Sequence, residues 1–95
     1  MTDNPRISAA EAVLPGILKL RWTDGYEGIV DLRPIIKDGE IFDAIRDPER
    51  FSQVRIIEYG HGIFWLDDDG YEIDFRSGRL RELSERQAAL LDLAG

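Results

Sequence analysis

The chain has 95 residues, 43% apolar and 33% charged, which is the balance of one small globular domain spanning residues 1–95. Nineteen Asp and Glu outnumber twelve Lys and Arg, and the resulting net charge of −7 disfavours nucleic-acid binding, which depends on basic side chains. The absence of cysteine excludes disulfides, thiolate metal sites and thiol nucleophiles, and so short a chain has little apolar material left for a buried catalytic cavity.

The amino-terminal residues 1–5 are polar, and we expect them to form a loose tail. They carry neither the basic nor the apolar region of a secretory signal, and no apolar run approaches the ~18 residues of a membrane span. We therefore expect a cytoplasmic protein that does not bind membranes.

Three antiparallel strands are predicted at the start of the domain. Apolar residues at odd positions give a weak period-two signal over residues 7–13, and the turn at 15–16 ends that strand. Residues 17–22 alternate clearly between apolar and basic, which predicts a strand with one buried face. The Asp-Gly pair at 24–25 favours a hairpin, so residues 26–32 are the returning strand of a meander.

Short helices are predicted over residues 34–52, where they would cover part of one sheet face. A proline and a glycine five residues later frame a single helical turn at 34–39, and apolar residues within 41–45 have helical spacing. Asp47 is expected to cap a further short helix that has Pro48 at its first position.

A second set of strands is predicted at residues 54–59, 63–66 and 71–75, separated by glycine-containing turns. The last of these strands would direct three apolar side chains to one face: Tyr71, Ile73 and Phe75. The fold class is therefore α+β, with a mostly antiparallel sheet of five to six strands. Trp22 and Trp65 fall at positions expected in the core.

Residues 76–95 are predicted to form a carboxy-terminal extension. The pattern from Ser84 to Gln87 matches a capping box, which predicts a helix over about 84–94 after a turn at 77–78. Its apolar stripe consists mainly of Leu80, Leu83, Leu90 and Leu91. The stripe either completes the core or forms a homodimer surface, and we expect a homodimer in which Leu90 and Leu91 are in contact.

Two segments of the sequence contain residue types that chemical sites use. The acidic turn at residues 67–70 resembles a calcium loop, but that alignment puts Trp65 and Arg76 at the first and twelfth ligand positions, so we interpret it as a solvated turn without a metal. His61, the only histidine, lies between two glycines and has no nearby nucleophile in the sequence, so we interpret it as an exposed turn residue. We expect no catalytic residue and no cofactor.

Charge is unevenly distributed along the second half of the chain. Residues 51–75 carry one cation and six anions, whereas residues 76–95 carry four arginines and three anions. These two regions either screen each other or bind a partner. The candidate interaction surface consists of Arg76, Arg79, Arg81, Arg86, Leu90 and Leu91.

Several motifs in a fixed order resemble the small bacterial proteins of domain-of-unknown-function family 2442. They are the hairpin segment that runs into Asp31-Leu32-Arg33-Pro34, then Asp47-Pro48-Glu49-Arg50-Phe51, then Phe64-Trp65, and the resemblance covers about residues 5–75. It implies a compact α+β unit without established catalytic residues. Its members are often encoded beside another small protein in what look like toxin–antitoxin pairs, and some continue into a DNA-binding helix-turn-helix.

This chain departs from the family pattern at two places. Its turn at residues 66–70 is longer, and residues 76–95 add one helix with no second helix for a helix-turn-helix. We expect a non-catalytic protein-interaction module, the regulatory or antitoxin-like half of a small two-gene bacterial system, that does not bind nucleic acid. The alternative is a small-ligand-binding or enzymatic domain that uses His61 and nearby carboxylates.

Overall fold

A computed structural model describes the backbone of residues 5–94 and the side chains of residues 5–90. The predicted tail at residues 1–5 therefore lies outside the described residues except for Pro5. The strands are β1 Ile7–Leu14, β2 Ile17–Trp22, β3 Glu27–Asp31, β4 Arg55–Ile56, β5 Gly62–Leu66 and β6 Glu72–Arg76. The helices are α1 Arg33–Ile36, α2 Pro48–Phe51 and α3 Ser77–Ala94, with 3-10 helices at Glu40–Arg46 and Glu58–Gly60.

The α+β class is confirmed, and the six strands form two antiparallel sheets of three, in the orders β1-β2-β3 and β4-β5-β6. The predicted single sheet is thus divided into two. The helical segment between β3 and β4 separates the two sets of strands along the chain, and the second set builds its own ladder. The two sheets share one apolar core, in which both Trp22 and Trp65 are buried as predicted.

The first sheet is the predicted meander. Gly16 and Gly25 have φ angles of +82° and +93°, which glycine adopts without steric cost in the two tight turns. In β1 the predicted side-chain alternation is wrong beyond Ile7, because register shifts near both ends of the strand move Val13 to the exposed side.

The middle of the chain is helical, as predicted. The Asp47 carboxylate accepts a hydrogen bond from the Arg50 backbone N–H at 3.0 Å, so Asp47 caps α2. The strand predicted at 54–59 is wrong beyond Ile56, because Tyr59 and Gly60 have left-handed φ angles of 63° and 75°, which end an extended chain.

The carboxy-terminal helix corrects the predicted helix boundary. α3 follows β6 directly at Ser77, without the predicted turn, so Ser84 lies in the middle of the helix rather than at its start. Ser84 is buried, and its hydroxyl lies 3.2 Å from the Tyr26 hydroxyl. A Cβ atom at Gly28 would overlap the Ser84 side chain, so this glycine allows α3 to approach β3 closely.

The leucine stripe of α3 is divided between core and solvent. Leu80 is fully buried and Leu83 packs against the core, whereas Leu90 is 60% exposed and the side chain of Leu91 lies outside the described residues. Within residues 5–94, none of the helices is both long and apolar enough to cross a membrane.

Candidate functional site

His61 occupies an exposed turn immediately before β5. Its backbone carbonyl accepts a hydrogen bond from Ser77 N–H at 2.9 Å, while its ring makes no hydrogen bond to any residue that the structure describes. Arg76, Arg79 and Glu82 line the same shallow depression. Ser77 also lines this depression, but no hydrogen bond joins its hydroxyl to the His61 ring in the described part of the chain. The carboxylate available to the enzymatic alternative here is Glu82, since the acidic turn does not line the depression.

The acidic turn at residues 67–70 is held by its own first residue. Asp67 Oδ1 accepts hydrogen bonds from the backbone N–H groups of Asp69 and Tyr71, both at 2.9 Å, and Asp68 pairs with Arg50. In the described part of the chain, no three His, Asp or Glu residues are grouped so that they could hold a metal ion. The turn geometry is as predicted, and its independence of calcium stays a prediction.

Arg81, one of the six predicted interface residues, is instead part of an intramolecular contact. Its guanidinium lies over the Tyr26 ring at 3.9 Å from the centroid. Nη1 donates to Asp24 at 2.9 Å, and Nε donates to Glu85 at 3.0 Å. The pKa of Asp24 is lowered, chiefly by the hydrogen bond from Tyr26 N–H and then by the one from Arg81. Arg81 therefore fastens α3 to the β2–β3 hairpin.

Gln87 makes a second attachment between α3 and the first sheet. Its side-chain oxygen accepts from Asp31 N–H at 2.9 Å, and its side-chain nitrogen donates to the Asp31 carbonyl at 3.0 Å. These two bonds satisfy the outer edge of β3 as a neighbouring strand would. The sequence pattern suggested instead that Gln87 belongs to a capping box.

The outer edge of β6, the edge strand of the second sheet, differs from that of β3 because its outward backbone groups are not hydrogen-bonded to any side chain in the described part of the chain. At the two ends of the β5–β6 ladder, Asp67 N–H donates to the Tyr71 carbonyl and Ser77 N–H donates to the His61 carbonyl. Because hydrogen-bonded pairs alternate along antiparallel strands, residues 71, 73, 75 and 77 direct their backbone groups toward β5. The intervening residues Glu72, Asp74 and Arg76 direct theirs away from the sheet.

A groove of about 700 Å³ runs along this outward edge of β6. Its floor is residues 71–76, and its apolar wall is formed by Ile35, Ile41 and Phe42. Phe42 stacks on Phe75 with 5.9 Å between the ring centroids, which holds the wall against the sheet. Ile41 at the wall and Tyr71 at one end are 72% and 70% exposed.

The two ends of this groove have opposite charge. Arg76 and Arg79 lie at the end where β6 meets α3. At the other end the groove shares Ile41 and Asp67 with an adjoining cleft. That cleft is lined by Arg50 and six carboxylates: Glu40, Asp43, Asp47, Asp67, Asp68 and Asp69. The charge of the lining therefore changes sign from one end of the groove to the other.

The predicted interface residues are thus only partly brought together. Arg76 and Arg79 share the groove, Arg81 is engaged within the molecule, and Arg86 and Leu90 are exposed farther along α3. Sequence reasoning missed the wall residues Ile41 and Phe42 and the edge itself, since the identity of an edge strand depends on how distant segments pair.

The profile of a family described as "Protein of unknown function (DUF2442)" matches residues 12–74, about two thirds of the chain. The chain belongs to this family. No curated protein and no solved structure matches it. The DUF2442 match ends inside β6, so α3 lies beyond it, although Tyr26 and Asp31 within the match bind Ser84 and Gln87 of that helix.

Proposed function

We propose that this DUF2442 protein is a non-catalytic protein-interaction module that binds its partner along the outward edge of β6. The observation that supports this most is the edge itself, where backbone groups of Glu72, Asp74 and Arg76 point away from the sheet into an open groove. Addition of a strand to such an edge is a common mode of protein recognition, since main-chain hydrogen bonds supply affinity.

Residues around the edge of β6 would add apolar and charged contacts to the binding of a partner. The exposed side chains of Ile41 and Tyr71 offer apolar area that a partner would cover, and the charged ends of the groove set the orientation of the bound segment. These features favour a macromolecular partner over a small ligand, because the groove follows residues 71–76 of the edge and is open to solvent.

The proposal includes a cellular role for the module, as the regulatory or antitoxin-like half of a small two-gene bacterial system in the cytoplasm. The order of motifs that resembles domain-of-unknown-function family 2442 supports this role. The absence of cysteine fits a reducing compartment. The homodimer through Leu90 and Leu91 stays a prediction, with Leu90 exposed on α3.

Two substitutions at Asp74 test whether the edge carries binding. Asp74→Pro removes the outward N–H and leaves the ladder to β5 intact, because proline is tolerated on an edge strand when its nitrogen faces away from the sheet. Asp74→Thr is the matched control, since it removes the same charge and keeps the N–H.

The readout is purification of the tagged protein from its native host, followed by identification of whatever is bound by the parent. We expect Asp74→Thr to retain the partner and Asp74→Pro to reduce its recovery about tenfold or more, with circular dichroism showing that both are folded. Equal recovery with both variants, or equal loss with both, contradicts binding through the edge.

A further inference from the structure

We infer that the strand that occupies the edge of β6 is β6 of a second copy of this chain, paired antiparallel about a two-fold axis at Asp74. This inference rests on the proposed function, because it names the partner of the same edge. The β4-β5-β6 sheet of one copy would thereby join the β4-β5-β6 sheet of the other. The result is one continuous sheet of six strands with the two β6 strands at its centre.

The backbone groups of the edge match this arrangement. With the axis at Asp74, Asp74 faces its own counterpart and Glu72 faces Arg76 of the other copy. Each Asp74 N–H can then donate to the opposite Asp74 carbonyl, and each Arg76 N–H to the opposite Glu72 carbonyl. Residues that point outward on one strand meet residues that point outward on the other, as an antiparallel ladder requires.

The charges of the edge select this partner among possible strands. Each groove is acidic where β6 begins and basic where it ends, and antiparallel pairing places the acidic end of one copy against the basic end of the other. Glu72 would meet Arg76 twice, and the acidic turn would approach Arg79. A strand with the same order of charges in the parallel direction would be repelled.

The apolar wall is also covered by this arrangement. The two-fold axis is perpendicular to the joined sheet, so the walls of both copies lie on the same face of it. Ile41, which is 72% exposed in one copy, would then face the wall of the other. Burial of apolar area at both walls would stabilise the dimer in addition to the hydrogen bonds between the two β6 strands.

One contact in this dimer is unfavourable, and its removal distinguishes this dimer from a dimer formed through another surface. The two Asp74 carboxylates lie opposite each other at the axis, and like charges directly opposite destabilise a strand pair. Asp74→Thr should therefore tighten self-association about threefold or more, whereas Asp74→Pro should abolish it. A contact elsewhere on the surface would respond equally to the two variants.

Sedimentation velocity over a wide range of protein concentration tests the inference. We expect the parent to dimerise, Glu72→Arg to weaken the dimer about tenfold, and the double variant Glu72→Arg/Arg76→Glu to restore it, because the exchanged charges again face each other. Leu90→Glu, on the exposed part of α3, distinguishes this dimer from the one predicted through Leu90 and Leu91, since it should leave a dimer through β6 unchanged and dissociate a dimer through α3.

Other outcomes overturn the inference. A parent that is monomeric at every concentration removes it, as does a dimer that Leu90→Glu dissociates and Asp74→Pro leaves intact, since the contact would then lie on α3. If the parent is monomeric but its captured partner is lost with Asp74→Pro alone, the proposed function stands and only the second copy as partner fails. The charge exchange decides the question even if the proline variant does not fold.

Discussion

The two tryptophans show how buried residues with the same side chain can differ in their contribution to the stability of the fold. Both are almost fully buried, but Trp65 Nε1 donates to the Phe51 carbonyl at 2.8 Å, whereas Trp22 Nε1 has no hydrogen-bond partner among the described residues. Burial of an unpaired N–H opposes folding, so part of the apolar stabilisation from Trp22 is offset.

A pair of matched substitutions tests this difference. Replacing either tryptophan by alanine should lower the free energy of unfolding by about 3–5 kcal/mol, since a large cavity results. Trp65→Phe should cost about 1–2 kcal/mol more than Trp22→Phe, because only the former breaks a hydrogen bond. Urea denaturation measures both values. Equal costs of the two phenylalanine variants would contradict the assignment of hydrogen bonds.

Asp31 gives the fold a dependence on acid. The Arg33 guanidinium, which binds the Asp31 carboxylate at 2.8 and 2.9 Å, lowers the pKa of Asp31 below its usual value, with a further contribution from Arg33 N–H. A lowered pKa in the folded state means that this contribution is complete above the unfolded pKa of about 3.9 and is lost as pH falls through the folded pKa.

The variant Asp31→Asn should therefore be less stable than the parent at neutral pH. Below about pH 4 its stability should decline less steeply, so the two curves converge in acid. Thermal melts from pH 7 to pH 2 provide the comparison. Parallel curves across this range would show that the ion pair with Arg33 does not contribute to the acid dependence.

At the scale of elements, local patterns predicted the strands and short helices well and failed where distant segments meet. The alternation at residues 17–22 and the cap at Asp47 depend on neighbours along the chain, and both were predicted correctly. Ser84 and Gln87 form a capping pattern by spacing alone. Their contacts with Tyr26 and Asp31, more than fifty residues away, place them inside the helix instead.

Gln87 provides a test of how α3 is attached. Gln87→Leu would complete the apolar stripe of the helix but leave the N–H and C=O of Asp31 without their partner, and the same is true of Gln87→Ala. We expect both variants to lower the free energy of unfolding by about 1–3 kcal/mol in urea denaturation. A Gln87→Leu protein as stable as the parent would mean that apolar packing governs this position.

The candidate site, too, was predictable from the sequence only in part. The clustering of arginines after the acidic turn was visible in the sequence, and Arg76 and Arg79 do share the groove. The groove itself was not predictable, because β6 becomes an edge strand only through the pairing of three separate segments, and its wall comes from residues some thirty positions earlier. Arg81 belongs to the same arginine cluster in the sequence but does not line the groove, because its ion pair with Asp24 holds α3 to the β2–β3 hairpin.

At the scale of the whole molecule, net charge governs which partners can approach. A net charge of −7 opposes the approach of a phosphate backbone, whose neutralisation by basic side chains supplies most nucleic-acid affinity. Of the two exposed arginines beside the groove, Arg76 forms an ion pair with Asp74 of its own strand at 3.5 Å, which offsets part of its charge.

We therefore expect no binding of duplex DNA at physiological salt. Fluorescence anisotropy with a labelled duplex, repeated at low and high salt, measures this. Micromolar binding that weakens steeply with salt would contradict the expectation.

The central claim, that this protein binds through the edge of β6, is tested most directly by amide hydrogen exchange resolved at single residues. In the dilute free protein, Ile73 and Phe75 should be protected by β5, while Glu72, Asp74 and Arg76 should exchange rapidly. Binding, whether to a second copy at high concentration or to a captured partner, should slow exchange at these three outward amides. If their exchange stays rapid in a complex shown by sedimentation to have formed, the edge of β6 is not the binding surface.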